Sequence, residues 1–312
     1  KMNINKLNEP KNSLNLFGLE NFFDFFINLL NNQKLPKVLL ISGNKGIGKY
    51  TLVKHFMAYI FDKENYDFNK KSINVNSTFY KQYSKNLFQN IIYLSGSKFS
   101  SVKIDEIRGL KSSIQKSSIK NEKRFVILDD VELFSLNSLN ALLKIIEEPF
   151  SNNYFILINN KTKPLVETIF SRCLEVKIIL SDQKRKEIIN SLIKYNSLET
   201  KLNFDSYYLT PGNFLIFNNI STEYDIDVND DFLKNLSLLL NLYKKNKDKN
   251  FINMILFIAN AHFYSLRKDS IEDLDTIIEN KLFVLKNIDM FVKNNLNQNS
   301  LYNAISNKLI NE

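Results

Sequence analysis

Three glycines and a lysine follow a short apolar run near residue 40, at a spacing that can hold phosphate. The segment Gly43-Asn-Lys-Gly46-Ile-Gly48-Lys49-Tyr-Thr51 lies between a predicted strand and an amphipathic helix. Glycines let backbone N–H groups converge on phosphate oxygens, and the lysine adds a positive charge. Because the chain contains only seven glycines, three within six residues favour a phosphate-binding loop over an ordinary strand-to-helix turn.

The loop departs from the pattern at one position. The residue after Lys49 is usually Ser or Thr, whose hydroxyl holds Mg²⁺, but here it is Tyr50. Thr51, one place later, faces another side of the predicted helix. We therefore expect a weak or vestigial site for ATP or ADP, which binds phosphate without efficient metal-assisted hydrolysis.

A second candidate segment is Phe125-Val-Ile-Leu-Asp129-Asp130, an apolar strand that ends in two acids. Asp129 matches the Walker B aspartate that orients Mg²⁺ and its water. Asp130 could position the attacking water, or it could simply cap the following turn. Both interpretations of Asp130 stay open at this point.

The elements that must position these residues are short strands alternating with helices. Near-continuous apolar runs are typical of a parallel sheet covered on both faces, and the alternation predicts a doubly wound α/β domain. The predicted strands are 37–42, 90–94, 124–129, 154–158 and 174–179. The predicted helix faces are Ile104, Ile107, Leu110 and Ile114, and Leu136, Leu139, Leu143 and Ile146, the second helix being stopped by Pro149.

Strand signals end near residue 180, and this change predicts three domains. Residues 1–180 form the α/β nucleotide-binding-like domain, 181–225 a small helical unit with a turn at 210–213, and 226–312 a helical domain with four helices. The stretch 221–231 is predicted to be a linker. The segment 62–89 has no clear periodicity and is predicted to be an irregular excursion from the first domain.

Composition narrows the class of protein. Cys173 is the only cysteine and there are two histidines, which excludes an intrachain disulfide and a multi-cysteine zinc site. The net charge of +9 suggests an anionic partner such as nucleic acid, although scattered lysines explain it equally well. No apolar run reaches the roughly 18 residues of a membrane span, and residues 1–11 lack a signal-peptide core. We expect a cytoplasmic protein.

Arginine is scarce, since 37 of the 42 basic residues are lysine by our count. Where lysine replaces most arginines, the remaining ones can be those that need the fixed guanidinium fork. This argument favours a special role for Arg172. The five arginines are Arg108, Arg124, Arg172, Arg185 and Arg267.

Four further segments resemble motifs of bacterial clamp-loader subunits of the AAA+ class. In order they are Ile104-Asp-Glu-Ile-Arg108, Asn140-Ala-Leu-Leu-Lys144, Glu147-Glu-Pro149 and Ser171-Arg172-Cys173. Together with the phosphate loop and the acid pair, they resemble the family over residues 15–180. The resemblance implies an AAA+ P-loop α/β domain, a small helical lid and a C-terminal helical collar.

The resemblance also implies roles for single residues. Arg172 would be an arginine finger that reaches the nucleotide of a neighbouring subunit, unless it only ties its loop to Glu167 or Glu175. Asn160, or its neighbour Asn159, would be the sensor-1 asparagine, unless it caps a strand. Active relatives carry a glutamate at the position of Asp130 and an arginine in the lid, which the corresponding stretch 210–216 lacks.

These departures weaken hydrolysis by this chain while Arg172 is kept, a combination that resembles the delta-prime type of subunit. We therefore predict a stator without independent ATPase activity in a polymerase holoenzyme. Its implied partners are motor and delta-type clamp-loader subunits, the sliding clamp indirectly, and primed DNA. Many relatives hold a four-cysteine zinc module where 62–89 has no cysteine, so no zinc is expected. An ATP-hydrolysing motor subunit and a free-standing basic DNA-binding ATPase are the alternatives.

Overall fold

The computed structural model divides the chain into two compact units. It describes residues 13–97, 102, 104–115, 122–149, 152–269 and 274–310. One unit consists of Lys1–Asn196 with Thr210–Asn213, and the other of Ser197–Leu209 with Phe214–Glu312. Residues 1–11, in which the sequence predicts no signal peptide, lie outside the described residues. The division into three domains stays a prediction.

The first unit is built on a parallel sheet. The described strands are β1 (Val38–Ser42), β2 (Tyr66–Asp67), β3 (Ser72–Ile73), β4 (Ile91–Ser95), β5 (Arg124–Asp129), β6 (Asn153–Asn159) and β7 (Leu174–Lys177). Five of them form one sheet in the order β4-β5-β6-β1-β7, with every neighbouring pair parallel. All five predicted strands are confirmed, with ends shifted by one or two residues.

Helices cover both faces of this sheet. In the first unit they are α1 (Glu20–Asn31), α2 (Lys49–Phe61), α3 (Thr78–Tyr83), α4 (Ile104–Gln115), α5 (Leu136–Ile146), α6 (Glu167–Phe170) and α7 (Asp182–Asn196). Alternate strand residues enter two separate cores: Ile41 packs with α1 and α2, whereas Leu40 packs with α4 and α5. The predicted doubly wound α/β fold is thereby confirmed, because strands buried on both faces need near-continuous apolar runs.

Helix α5 differs from its predicted face. Ser135 caps its N-terminus by accepting a hydrogen bond from the Ser138 amide at 3.2 Å, which satisfies a donor that the helix leaves unpaired. Leu136 therefore lies in the first turn and is 62% exposed, so its predicted place in the core was wrong. The buried stripe is Leu139, Leu142, Ile145 and Ile146.

The segment 62–89 is less irregular than predicted. It contains a 3₁₀ turn at Lys63–Asn65, the antiparallel pair β2–β3 and the short helix α3. Phe79 packs against Phe61 and Phe88, with ring centroids 6.3 and 5.0 Å apart. Aromatic packing at these short elements gives no hydrophobic period, which explains why the sequence pattern did not reveal them.

The second unit is helical. The helices that follow α7 are α8 (Pro211–Tyr224), α9 (Phe232–Asn246), α10 (Lys249–Asp269), α11 (Leu274–Asn294) and α12 (Gln298–Ile310). The four predicted C-terminal helices are confirmed as α9 to α12. The turn predicted at 210–213 is instead the start of α8, because proline fits the first position of a helix. None of the helices in the described part of the chain is both long and apolar enough to cross a membrane.

Candidate nucleotide-binding site

The phosphate loop, the acid pair and Asn160 lie at one edge of the sheet. Strands β1, β6 and β5 are parallel neighbours, and ligands of such sheets bind beyond the carboxyl ends of the strands. Asn160 donates through Nδ2 to Asp130 Oδ1 at 2.8 Å and to Asp129 Oδ1 at 3.3 Å. Asn159 instead accepts a bond from the Lys161 amide. Of the two candidate asparagines, Asn160 is the one that meets the acids.

The loop backbone has the shape that its glycines predict. Gly46 and Gly48 have φ of +85° and +96°, a region that other residues rarely adopt. Helix α2 begins directly afterwards at Lys49, so its N-terminal amides face the loop. This backbone fits a phosphate group, while the place of Thr51 in the site stays a prediction.

The side chain of Lys49 is turned onto its own loop. It is 3% exposed, and its Nζ donates to the carbonyls of Gly43 at 2.8 Å and Asn44 at 2.7 Å. Burial lowers the pKa of Lys49 to about 8, against the raising effect of Asp129 and the neighbouring acids. The ammonium is still largely protonated at neutral pH, but loop carbonyls already occupy two of its three donors.

The two carboxylates of the acid pair also have hydrogen-bond partners within the chain. Burial, reinforced by Asp130, raises the pKa of Asp129 to about 6. Asp130 has φ of +50°, and its second oxygen accepts a bond from Ser95 Oγ at 3.4 Å. It precedes a 3₁₀ turn at Val131–Leu133 without making a capping hydrogen bond. The capping interpretation of Asp130 is therefore wrong, and its carboxylate instead joins Asn160.

A third acid, Glu132, completes the cluster and was missed from the sequence. It is 5% exposed, and it accepts hydrogen bonds from the Asn160 amide at 3.1 Å and from Thr162 Oγ1 at 2.8 Å. Its position two residues after Asp130 was the available signal. Because glutamates are mostly exposed, the pattern alone gave no reason to bury it.

Tyrosines occupy the side of the site where a metal would be held. Tyr50 Oη lies 3.1 Å from Tyr83 Oη, and its ring contacts Tyr93 edge-on at 5.2 Å. Tyr93 Oη donates to Asp129 Oδ2 at 3.2 Å. Burial raises the pKa of Tyr50 to about 12, so this phenol stays neutral. The donor set of Tyr50 and Asp129 therefore does not fit Mg²⁺ bound to a nucleotide.

The start of α8 covers the loop within the same compact unit. The Gly212 amide donates to the Gly46 carbonyl at 2.7 Å. A Cβ atom on Gly212 would lie 2.9 Å from Gly46 Cα, and one on Gly46 would lie 2.5 Å from Thr210 Oγ1. The phosphate cradle is thus present, with tyrosines on one side of it and the backbone at the start of α8 packed against it.

Arg172 lies on the surface between α6 and β7. Its Nε donates to Glu147 Oε1 at 2.7 Å, and its Nη1 donates to the Thr168 carbonyl at 3.0 Å and to Ser171 Oγ at 3.1 Å. The side chain is 32% exposed. The pairing with Glu167 or Glu175 considered from the sequence was wrong, because the partner is Glu147.

The scarcity of arginine does not by itself single out Arg172. Arg124 is 7% exposed and donates to the Ser113 carbonyl at 3.0 Å, while Arg185 is 2% exposed and pairs with Asp182 at 2.6 Å. The Arg124 contact joins β5 to α4, and the Arg185 pair lies within α7. The fixed fork of arginine therefore also serves buried contacts within the fold.

Comparison with known proteins finds one family and several relatives. The family described as DNA polymerase III, delta subunit, matches residues 18–181. DNA polymerase III subunit gamma of Buchnera aphidicola from Acyrthosiphon pisum is 29% identical over 64% of this chain and 53% of its own length. DNA polymerase III subunit delta' of Buchnera aphidicola from Baizongia pistaciae is 27% identical over 44% of this chain and 42% of its own length.

A search of solved structures finds a further similar protein. A DNA polymerase III gamma-subunit-related protein from Thermotoga maritima aligns with 91% of this chain and 98% of that chain, at a TM-score of 0.46 and 16% identity. Against the sequence relatives the coverage is smaller, and the chain spans about half the length of the two Buchnera proteins that it matches.

Proposed function

This chain belongs to the DNA polymerase III delta subunit family, and on that premise we propose that it is a delta-prime-like clamp-loader subunit of the replicative polymerase. In this role it hydrolyses no ATP itself. It offers Arg172 to the nucleotide of a neighbouring motor subunit while the sliding clamp is loaded onto primed DNA. Motor and delta-type subunits are its direct partners, and the clamp is an indirect one.

The observation that carries the proposal is the contrast between two cations of this chain. Lys49 is buried and bound to its own loop, whereas Arg172 is 32% exposed at the surface. A guanidinium stays charged in any environment and carries five N–H groups, so it can be held by its own chain and still donate to a phosphate oxygen. Arg172 can therefore stabilise charge on a phosphoryl group that another subunit holds, which is the arginine-finger role.

A basic cleft between α4 and α5 supports contact with primed DNA. The cleft has a volume of about 350 Å³, and its polar lining residues are Arg108, Lys111, Asn137, Asn140 and Lys144. Cations and amides of this kind bind backbone phosphates without reading the base sequence. The cleft thus matches the DNA partner in chemistry, and it would position the duplex rather than select it.

The experiment that tests the proposal is Arg172→Ala in the reconstituted assembly. The expected result is a loss of about 10³-fold or more in kcat at the neighbouring ATP site, the usual contribution of an arginine finger. Arg172→Lys should be nearly as slow, because an ammonium has three N–H groups and cannot keep the contacts of Arg172 within its own chain while also reaching a phosphoryl oxygen. Arg267→Ala, which removes an exposed arginine of α10, is the matched control and should leave turnover unchanged. Normal turnover by the Arg172→Ala assembly would refute the finger.

The motor subunit is the second candidate, favoured by the likeness to the gamma subunit of Buchnera aphidicola. In that role Lys49 would hold ATP in this chain, and turnover would depend on it. The tyrosines on the metal side and the backbone that covers Gly46 argue for the delta-prime role. The two candidates therefore differ in whether hydrolysis by the assembly needs Lys49.

A further inference from the structure

The guanidinium of Arg172 is held by more of the chain than an exposed arginine normally is. Nε and Nη2 both donate to Glu147 Oε1, and Nη1 donates to the Thr168 carbonyl and to Ser171 Oγ. These bonds use four of the five N–H groups of a guanidinium. The remaining N–H, on Nη2, is left for an acceptor outside this set.

The groups that hold Arg172 come from the ends of two helices. Glu147 is the C-cap residue of α5, and its amide donates to the Leu143 carbonyl at 3.0 Å. Thr168 and Ser171 lie in α6 and at its C-cap. Helix α5 is anchored by its buried stripe, so the Glu147 carboxylate is presented from a packed element rather than from a free loop.

We propose that Glu147 is a positioning residue for Arg172. It holds the plane of the guanidinium before a neighbouring subunit docks, so that the remaining Nη2 hydrogen already points away from its own chain. This inference rests on the proposed finger role of Arg172. A long side chain loses rotamer freedom when it is immobilised, and fixing it in advance removes that loss from the step that uses it.

The neighbouring acid provides a matched comparison. Glu148 follows Glu147 in the chain and is exposed like it, but the hydrogen bonds found for Arg172 among the described residues go to Glu147. Both substitutions remove one acid from the same stretch of chain. A difference between the two positions therefore reports the contact with Arg172 rather than the loss of one negative charge.

The test uses the reconstituted assembly with Glu147→Ala, with Glu148→Ala as control. Glu147→Ala should lower kcat for ATP about 3- to 10-fold, a modest loss because the ion pair is half-exposed. The KM for ATP should not change, since the nucleotide is held by the neighbour. Glu147→Gln keeps an acceptor and should recover part of the loss, and Glu148→Ala should match the unmodified assembly.

A double-mutant cycle with Arg172→Ala separates positioning from general damage. If Glu147 acts through Arg172, adding Glu147→Ala to Arg172→Ala should cause no further loss. A further loss in that background would mean a structural role and would overturn the inference. A normal or faster Glu147→Ala assembly, with Arg172→Ala still slow, would also overturn it while leaving the proposed function intact. Normal turnover by Arg172→Ala alone would defeat the proposed function itself.

Discussion

Two cations suited to phosphate lie in opposite environments in this chain. The ammonium of Lys49 is enclosed by its own loop and by three acids, and burial lowers its pKa to about 8. The guanidinium of Arg172 lies at the surface, one-third exposed, and pairs with Glu147. The charge of Lys49 is compensated within the chain, whereas the charge of Arg172 is still accessible to another molecule.

The difference concerns which polar groups are still available to a ligand. The Lys49 ammonium already donates to loop carbonyls, Asp129 accepts a hydrogen bond from a phenol, and the Gly46 carbonyl accepts one from the Gly212 amide. A ligand would have to displace these partners. At Arg172 a phosphoryl oxygen needs only the remaining N–H group, so binding there displaces nothing.

Lys49→Met in the reconstituted assembly tests whether ATP turnover depends on Lys49 or on Arg172. We expect ATP turnover to change less than about 2-fold, against the loss of about 10³-fold for Arg172→Ala. Free energy of unfolding should fall by about 1–3 kcal/mol, because two buried carbonyls lose their donor. Steady-state ATPase and urea unfolding of the same preparation measure both quantities.

The opposite outcome for Lys49 would reverse the proposed roles. A loss of about 100-fold or more, which is typical of removing a positioned transition-state contact, would place a working nucleotide in this chain and favour the motor subunit. Lys161→Met is a suitable control, because Lys161 is near enough to lower the pKa of Lys49 but is exposed and lies outside the phosphate loop.

How far the sequence predicts this site depends on how local each signal is. The phosphate loop, Asp129 and Asn160 follow strands whose apolar runs are unambiguous, and parallel strands bring their carboxyl ends to one edge. Three residues far apart in sequence could therefore be assigned to one site. The fold followed from the same alternation of strands and helices.

The residues that close the site could not be predicted in this way. Tyr83 comes from a segment whose aromatic packing has no period, and Gly212 belongs to a segment predicted to be a turn of a separate helical unit. Glu147 was recognised within a motif, but its contact with Arg172 joins two helix ends 25 residues apart. Each contact depends on tertiary packing, which patterns along the chain do not reveal.

A second test opens the covered loop by substituting Gly212 with alanine. The new Cβ would meet the backbone of Gly46 at 2.9 Å, and the hydrogen bond between the two glycines would be strained. We expect a loss of about 2 kcal/mol in free energy of unfolding. Gly109→Ala is the matched control: its Cβ meets nothing within 4 Å, so this exposed helix position should gain up to about 1 kcal/mol. Equal effects at both glycines would show that the loop is not closed by α8.

The smallest expected effect concerns the acid that faces Tyr93. Burial raises the pKa of Asp129 from 3.8 to about 6, so the folded protein binds this proton more tightly than the unfolded chain does between these values. The free energy of unfolding contributed by Asp129 should therefore fall as pH rises from about 4 to 6.

Asp129→Asn removes this titration and keeps an acceptor for Tyr93. Between pH 4 and 6.5 the free energy of unfolding should fall by roughly 1 kcal/mol more in the unmodified protein than in the variant. This value is discounted for the partial exposure of the carboxylate. Urea unfolding of both proteins across that range measures the difference. The other carboxylates contribute equally to the pH dependence of both proteins, so their effect cancels. Parallel curves would mean that Asp129 is solvated as an ordinary surface acid. The tyrosines would then not close the pocket, and metal and nucleotide could reach it.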